Sequence, residues 1–359
     1  MLKLLAGVPA DHPSLWGRVE VRPASPLIEL SDAVVLPPQR LAGDVPQWWR
    51  RQVYGVFDRH GDHVAALSDL RGERRICQPP PRLEACAAPC QPVLELPEML
   101  YGGTLYNHYG HLLVETGRAY RLLQEHRHSD LPIWFHDITT RRRPVTGLGF
   151  VRQWLRCLGI RRRVQLIRQP IRARRLLSAA ALYNDRSFVD AELRPACLAG
   201  LRPSLREKLA QRPGAGRGVA YLSRHKLRGG STRFPQEAEL VARLAALKHV
   251  DVLCPEELTN PQKLRLYRDY AVVVGFPQSS MHLKLFAPGE RLARQVLLVA
   301  GPQCLSSSWV NLDQAAGFGD AYLDCGVADR SPSCADPAFL RSNSFDVDVV
   351  VAALRQLAA

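Results

Sequence analysis

His111 and Glu115 stand four residues apart in the stretch 106–118, YNHYGHLLVETGR. On a helix, residues four apart share one face. A carboxylate beside an imidazole holds one tautomer and raises its basicity, which suits a general base. Asn107 precedes the expected helix start and Arg118 follows the pair. An ordinary polar pair on a solvated helix has the same spacing. The zincin pattern needs two His at this spacing with a Glu beside the first, and it is not met.

A second constellation is YLSRHKLR at 221–228, directly after an expected strand. Ser223, Arg224 and Lys226 would fan out at that strand's carboxyl end. Arg offers a planar fork and Lys a point charge, the pair a diphosphate needs. A solvated basic turn is the plainer alternative. The third is GFPQSSMHLKLFAPG at 275–289. Here a strand stops at Gly275, and Ser279 or Ser280 could cap a helix over 279–287 with His282 in its first turn. The N–H groups of such a helix start favour an anion. An ordinary capped helix with a surface His fits equally. No P-loop occurs.

The fourth is 141–175, which holds twelve Arg and no Asp or Glu. So dense an excess attracts anionic surfaces, whether headgroups, nucleic acid or charged saccharides. Phe150 and Trp154 are its interleaved aromatics, and the spacing fits no RNA-binding signature. A solvated basic face is the alternative.

The elements that must position these residues belong to a chain of 359 residues, long enough for two domains. With 46% hydrophobic and 23% charged residues, disordered, collagen-like and disulfide-stapled classes are excluded. Of 48 basic residues, six are Lys, and the net charge is +14. There is no apolar run long enough for a membrane span, and Pro9 interrupts the short apolar start, so a cytoplasmic location is expected. Nine Cys without a secretion signal suggest free thiols. Cys86 and Cys90 form one close pair, with no second pair at zinc spacing, and no metal is expected.

Residues 1–100 read as strands and loops, 104–126 as a helix, 131–137 as a strand, 147–158 as a helix and 163–167 as a strand. The Gly-rich stretch 211–218 reads as a linker. Beyond it come strand 218–223, helix 235–248, strand 250–254, helix 261–269, strands 271–275 and 295–300, and a last helix over 344–357 capped by Ser344. The expectation is an α/β protein with domains 1–210 and 211–343, and a terminal helix 344–359 that could cross back to the first. Two α/β halves would place ligands in a central cleft, at the carboxyl ends of strands.

In their order and spacing over 101–300, the motifs resemble glycosyltransferase family 61, the capsular-polysaccharide type. The stretch Asn107-His108-Tyr109-Gly110-His111 through Glu115 is similar to that family's Asn-Tyr-Gly-His-x-x-x-Glu pattern, with one extra residue. Tyr221, Ser223 and Arg224 match its Tyr-x-Ser-Arg; Arg233 and Glu237 follow, with Gln236 standing for an Asn. Pro255, Glu256, Thr259 and Gln262 match the next segment, and Gly275 with Leu285 to Pro288 the last. Where many members carry His-Gly-Ala-Gly, this chain has Pro277, Gln278, Ser279 and Ser280, and it resembles a variant with Ser-Ser-x-His.

The resemblance implies a GT-B architecture, two Rossmann-like halves facing a central cleft. It also implies inverting, metal-independent transfer from a nucleotide sugar, a UDP-sugar first, to a saccharide or lipid-linked glycan. No cofactor and no nucleic acid are expected. On this reading His111 and Glu115 are catalytic, with roles that could be exchanged. Ser223, Arg224, Lys226, Glu237, Gly275, Ser279, Ser280 and His282 bind the donor, while Asn107 and Arg118 bind the acceptor. The arginine stretch implies peripheral attachment to an anionic membrane surface, at the inner face of the cytoplasmic membrane. Two alternatives are a non-catalytic nucleic-acid-binding protein and another GT-B-like nucleotide-sugar enzyme such as an epimerase.

Overall fold

The structure, a computed structural model, describes residues 4–6, 15–40, 52–71, 74–75, 82–83, 94–137, 144–211, 216–289, 292–300, 305–326, 338 and 341–359. The fold is α/β, and the chain divides into two compact units. One is Glu20–Arg202; the other joins Met1–Val19 to Pro203–Ala359.

The sheet of the Glu20–Arg202 unit has six strands: β1 (Leu27–Arg40), β2 (Gln52–Phe57), β3 (Leu94–Leu105), β4 (Ile133–Asp137), β5 (Val164–Leu166) and β6 (Ile171–Ala179). Their order is β5-β4-β3-β6-β1-β2. The first four run parallel, and β1 and β2 complete the sheet antiparallel. Residues of β3 alternate at its start and are buried without interruption from Met99 onward, as expected of a strand covered on both faces. Gly102 lies within a local register shift against β4, and a Cβ there would stand 2.4 Å from the Phe135 ring.

Among the described residues this unit has four α-helices: α1 (Tyr109–Val114), α2 (Gly117–His126), α3 (Gly149–Leu158) and α4 (Leu193–Gly200). The helix expected over 104–126 is therefore a strand end followed by two helices. Apolar periodicity cannot separate a fully buried strand such as 99–105 from a buried helix segment. The helix α2 packs on β3, β6 and α4. Trp154 of α3 is fully buried and donates its indole N–H to the Tyr120 hydroxyl at 2.9 Å.

In the second unit come α5 (Pro203–Ala210), β7 (Arg217–Leu222), α6 (Glu237–Leu244), β8 (Val250–Leu253), α7 (Asn260–Asp269), β9 (Tyr270–Gly275), β10 (Arg294–Val299), α8 (Ser307–Ala316), β11 (Ala321–Asp324) and α9 (Val347–Ala358). The five strands are parallel, in the order β8-β7-β9-β10-β11, and the strand Leu4–Ala6 adds antiparallel to β11. That is a doubly wound order, reversing direction between β7 and β9. Val219, Tyr221, Val272, Val274, Val296 and Leu298 share a core with α6 and α9. The helix α7 packs against β9 and the 3-10 segment Ser279–Phe286.

Three expectations need correction. The 279–287 segment is 3-10 rather than α-helical, without a serine cap. Within it Met281, Leu283 and Phe286 are buried. The last helix starts at Val347, and its cap is Asp346 rather than Ser344. The Asp346 carboxylate accepts from the N–H groups of Asp348 (2.9 Å) and Val349 (3.2 Å). This helix packs on α6 and β7 of its own unit.

The division falls between Arg202 and Pro203, ahead of the expected 210/211 boundary, because α5 packs on α7. Of the Gly-rich linker, residues 212–215 lie outside the described residues, as do Cys77, Cys86, Cys90, Cys304, Cys334 and Arg141 to Arg143. Cys157, Cys197, Cys254 and Cys325 are buried free thiols.

Candidate functional site

In the second unit the expected donor residues gather where the strand order reverses. The chain leaves β7 at Leu222, and Ser223 is fully buried. Glu237, 2% exposed at the start of α6, accepts from the Tyr221 hydroxyl (2.9 Å), the Ser223 hydroxyl (3.1 Å) and the Arg224 backbone N–H (2.7 Å). Burial raises the Glu237 carboxyl from its ordinary value, and these three donors oppose it. Ser223 and Glu237 are thus spent on each other. In this structure both side chains are engaged within the turn.

That turn presents three cationic or titratable side chains. The half-buried Arg224 donates to the Thr232 carbonyl at 2.9 Å, and its buried Nε has no partner. Burial lowers the guanidinium from its ordinary value, countered by Glu237 and Glu256. His225 is exposed and its Nδ1 lies 2.7 Å from the Ser223 hydroxyl. Lys226 is exposed and pairs with Glu257 at 2.9 Å.

From β9, Gly275 comes close to the end of β7: a Cβ there would stand 3.2 Å from the Leu222 carbonyl oxygen and 3.3 Å from the Gln278 amide nitrogen. Gln278 donates to that Leu222 carbonyl at 2.7 Å. Phe276 stacks on Phe234 with ring centres 3.7 Å apart and holds the segment down. Ser279 is half-buried and Ser280 buried. His282 lies flat on the Trp309 ring at 4.1 Å. His225 and Gln278 were missed as site residues, although both lie inside the quoted motifs. Thr259 and Gln262 are accounted for without a ligand: Gln262 accepts from the Thr259 backbone N–H at 2.8 Å and caps α7.

In the Glu20–Arg202 unit, the segment leaving β3 at Leu105 carries Tyr106, Asn107 and α1. Nδ1 of His111 lies 2.5 Å from Oε1 of Glu115. The Glu115 side chain is 6% exposed and that of His111 19%. Glu115 also accepts from the buried Tyr106 hydroxyl. Burial, with the Asp69 and Glu115 carboxylates, holds that phenol well above its ordinary value. A buried carboxylate needs donors, and a proton on Nδ1 of His111 would supply one and leave the Nε2 lone pair for a substrate proton. The His108 ring lies 4.7 Å from that of His111, and Asn107 is half-buried beside them.

Arg118, expected to bind the acceptor, is buried. It is 3% exposed and bonds Asp69 (2.7 Å) and the carbonyls of Ser68 (2.7 Å) and Ala179 (3.1 Å). Asp69 in turn accepts from the Tyr54 (3.0 Å) and Thr104 hydroxyls. Arg118 is the counter-charge of a buried carboxylate, because neither ion could stay buried alone. Nearby His136, fully buried, meets the Tyr101 hydroxyl (2.9 Å) and the Leu36 carbonyl (2.8 Å), and burial pushes its pKa down to about 4.

Among the described residues, no group of three or more His, Cys, Asp or Glu side chains could hold a metal ion, and no helix is long and apolar enough to cross a membrane. No protein-family model and no curated protein matches the chain.

Proposed function

We propose that the chain is an inverting glycosyltransferase that moves a sugar from a nucleotide-sugar donor to a hydroxyl of a saccharide or lipid-linked glycan in surface-polysaccharide synthesis. One observation carries this reading. The Tyr221–Ser223–Arg224 segment leaves the second sheet at the carboxyl end of β7, where the strand order reverses, and Gln278 closes on it from β9. Ligands of doubly wound sheets bind at such switch points. In this reading the two units correspond to the two halves of a GT-B enzyme, and the protein works at the inner face of the cytoplasmic membrane.

The proposed reaction is a single displacement. The acceptor oxygen bonds to the anomeric carbon as the bond to the diphosphate oxygen breaks on the opposite face. The acceptor proton passes to Nε2 of His111, while Glu115 holds the imidazole and stabilises its cation. Arg224, His225 and Lys226 meet the charge gathering on the leaving diphosphate, without a metal ion. For Lys226 this means exchanging its exposed Glu257 partner for phosphate.

A thermal-shift screen over nucleoside diphosphates, UDP first, tests the donor site, because a ligand of the folded state raises Tm. Arg224→Ala should weaken UDP binding by roughly tenfold or more, the worth of a charge-assisted contact. An unchanged Tm with every nucleotide, or an unchanged Kd in the variant, overturns the reading. Transfer abolished by EDTA and restored by manganese overturns its metal-free part.

A further inference from the structure

On the Glu20–Arg202 unit an open groove of about 490 Å³ lies between α3 and the edge strand β5. Arg152 enters it from α3, Arg161 and Arg162 from the turn before β5, and Arg168 from the segment after β5. Thr146 and Gln165 supply its neutral polar groups, and the other lining residues are apolar. None of the nine lining residues is acidic.

Among the described residues, no carboxylate pairs with Arg152, Arg161 or Arg162, and all three side chains are exposed. Arg168 has one acidic neighbour, Asp137, at 3.4 Å, and that carboxylate also accepts the Val145 N–H at 3.0 Å. Four guanidiniums brought to one groove repel each other. Apolar walls strengthen that field toward whatever enters. The packing of α3 does not need Arg152 there: its buried face is Val151, Trp154, Leu155, Cys157 and Leu158, and Arg152 lies off it.

We propose that this groove is a binding site for a diphosphate group. Guanidinium forks match phosphate oxygens two at a time. Cations on three successive chain segments suit an anion longer than one phosphate, and the groove's volume falls within the range of small-ligand sites. The site stands on Arg152, Arg161, Arg162 and Arg168 alone and is independent of the glycosyl-transfer reading. The diphosphate belongs either to a soluble molecule or to a lipid headgroup, and the chemistry recognised is the same.

The test is calorimetry of the full chain with inorganic pyrophosphate at about 0.15 M salt, where long-range attraction is screened. Saturable binding is expected, and it should persist in Arg224→Ala, which weakens the proposed donor turn but leaves the groove intact. The double variant Arg161→Gln, Arg162→Gln should weaken it by about tenfold or more. The control double variant Arg172→Gln, Arg174→Gln removes the same charge from exposed positions on β6 and should change Kd by less than about twofold. If the first variant does not fold, Arg152→Gln, exposed on α3, replaces it. Absent binding, or equal weakening in both double variants, overturns the proposal. Vesicles of phosphatidylcholine doped with a prenyl diphosphate separate the two sources. Competition with pyrophosphate puts the group on a lipid, and no competition puts it in solution; both support the site.

Discussion

Gln278 donates its side-chain amide to the last carbonyl of β7, that of Leu222, at 2.7 Å. The bond ties the ends of two adjacent parallel strands at the point where the sheet's order reverses. It depends on the glycine between them, because a methyl group at 275 would crowd both partners. Gly275→Ala should therefore lengthen it and displace the turn that carries Arg224. The loss of one hydrogen bond, about 0.5–1.5 kcal/mol, corresponds to roughly two- to tenfold weaker UDP binding. Gln278→Ala should match it, with the glycine retained. Titrations in which neither variant departs from wild type would remove this bond from the donor site.

His111→Ala should lower kcat for transfer by about 10²–10⁴-fold and leave the Kd for nucleoside diphosphate unchanged, since a positioned base acts in the chemical step. Glu115→Gln keeps the shape but cannot stabilise the imidazolium, so it should lower kcat less than His111→Ala does. Steady-state kinetics and calorimetry on the same preparations separate the effects. A variant at 111 with wild-type kcat excludes His111 as the base.

His136 should make stability fall with acid. Its folded pKa of about 4 lies below the ordinary 6.5, so the unfolded chain binds the extra proton between those values. Its contribution is complete above pH 6.5 and is lost as pH falls toward 4. Integrated over that window the loss is about 3 kcal/mol. Urea unfolding at several pH values measures it, with His136→Gln as reference. The variant should lack this part of the slope; parallel curves would show that His136 takes up its proton alike in both states.

For the proposed membrane association, sedimentation with phosphatidylglycerol vesicles should carry the protein down at low salt and release it at high salt. Charge reversal at Arg141, Arg142 and Arg143 should weaken that binding without lowering Tm. Equal partitioning to neutral phosphatidylcholine vesicles would rule out an electrostatic attachment.

Legibility in the sequence followed burial. The strands of the second unit are apolar runs such as VAYL and VVVG closed by turn residues, and a strand covered on both faces looks like that. By contrast β6, IRARRLLSA, was not recognised. Its period-two pattern places Arg172 and Arg174 outward and Ile171 and Ala173 inward, but the arginine excess made it look like a charged run. The site was legible in position more than in role. Tyr221, Ser223, Arg224 and Glu237 do come together, yet burial turns Ser223 and Glu237 inward, and a one-dimensional pattern carries no burial. The burial of Arg118 was hidden for the same reason: its partner Asp69 lies 49 residues upstream.

The strand Leu4–Ala6 pairs with β11, so that Leu5 stands opposite Tyr322. In the order of synthesis, Leu4–Ala6 waits for β11, and the whole Glu20–Arg202 unit is made in between. That unit can fold on schedule, since its contacts lie within one continuous stretch. The edge of the second sheet cannot close until β11 emerges, and until then both Leu4–Ala6 and the growing sheet offer unpaired backbone to other chains. Pairing so distant in sequence is also slow to form. Refolding of the second unit should therefore be the concentration-sensitive step, and nascent chains stalled before Ala321 should be the ones that chaperones hold.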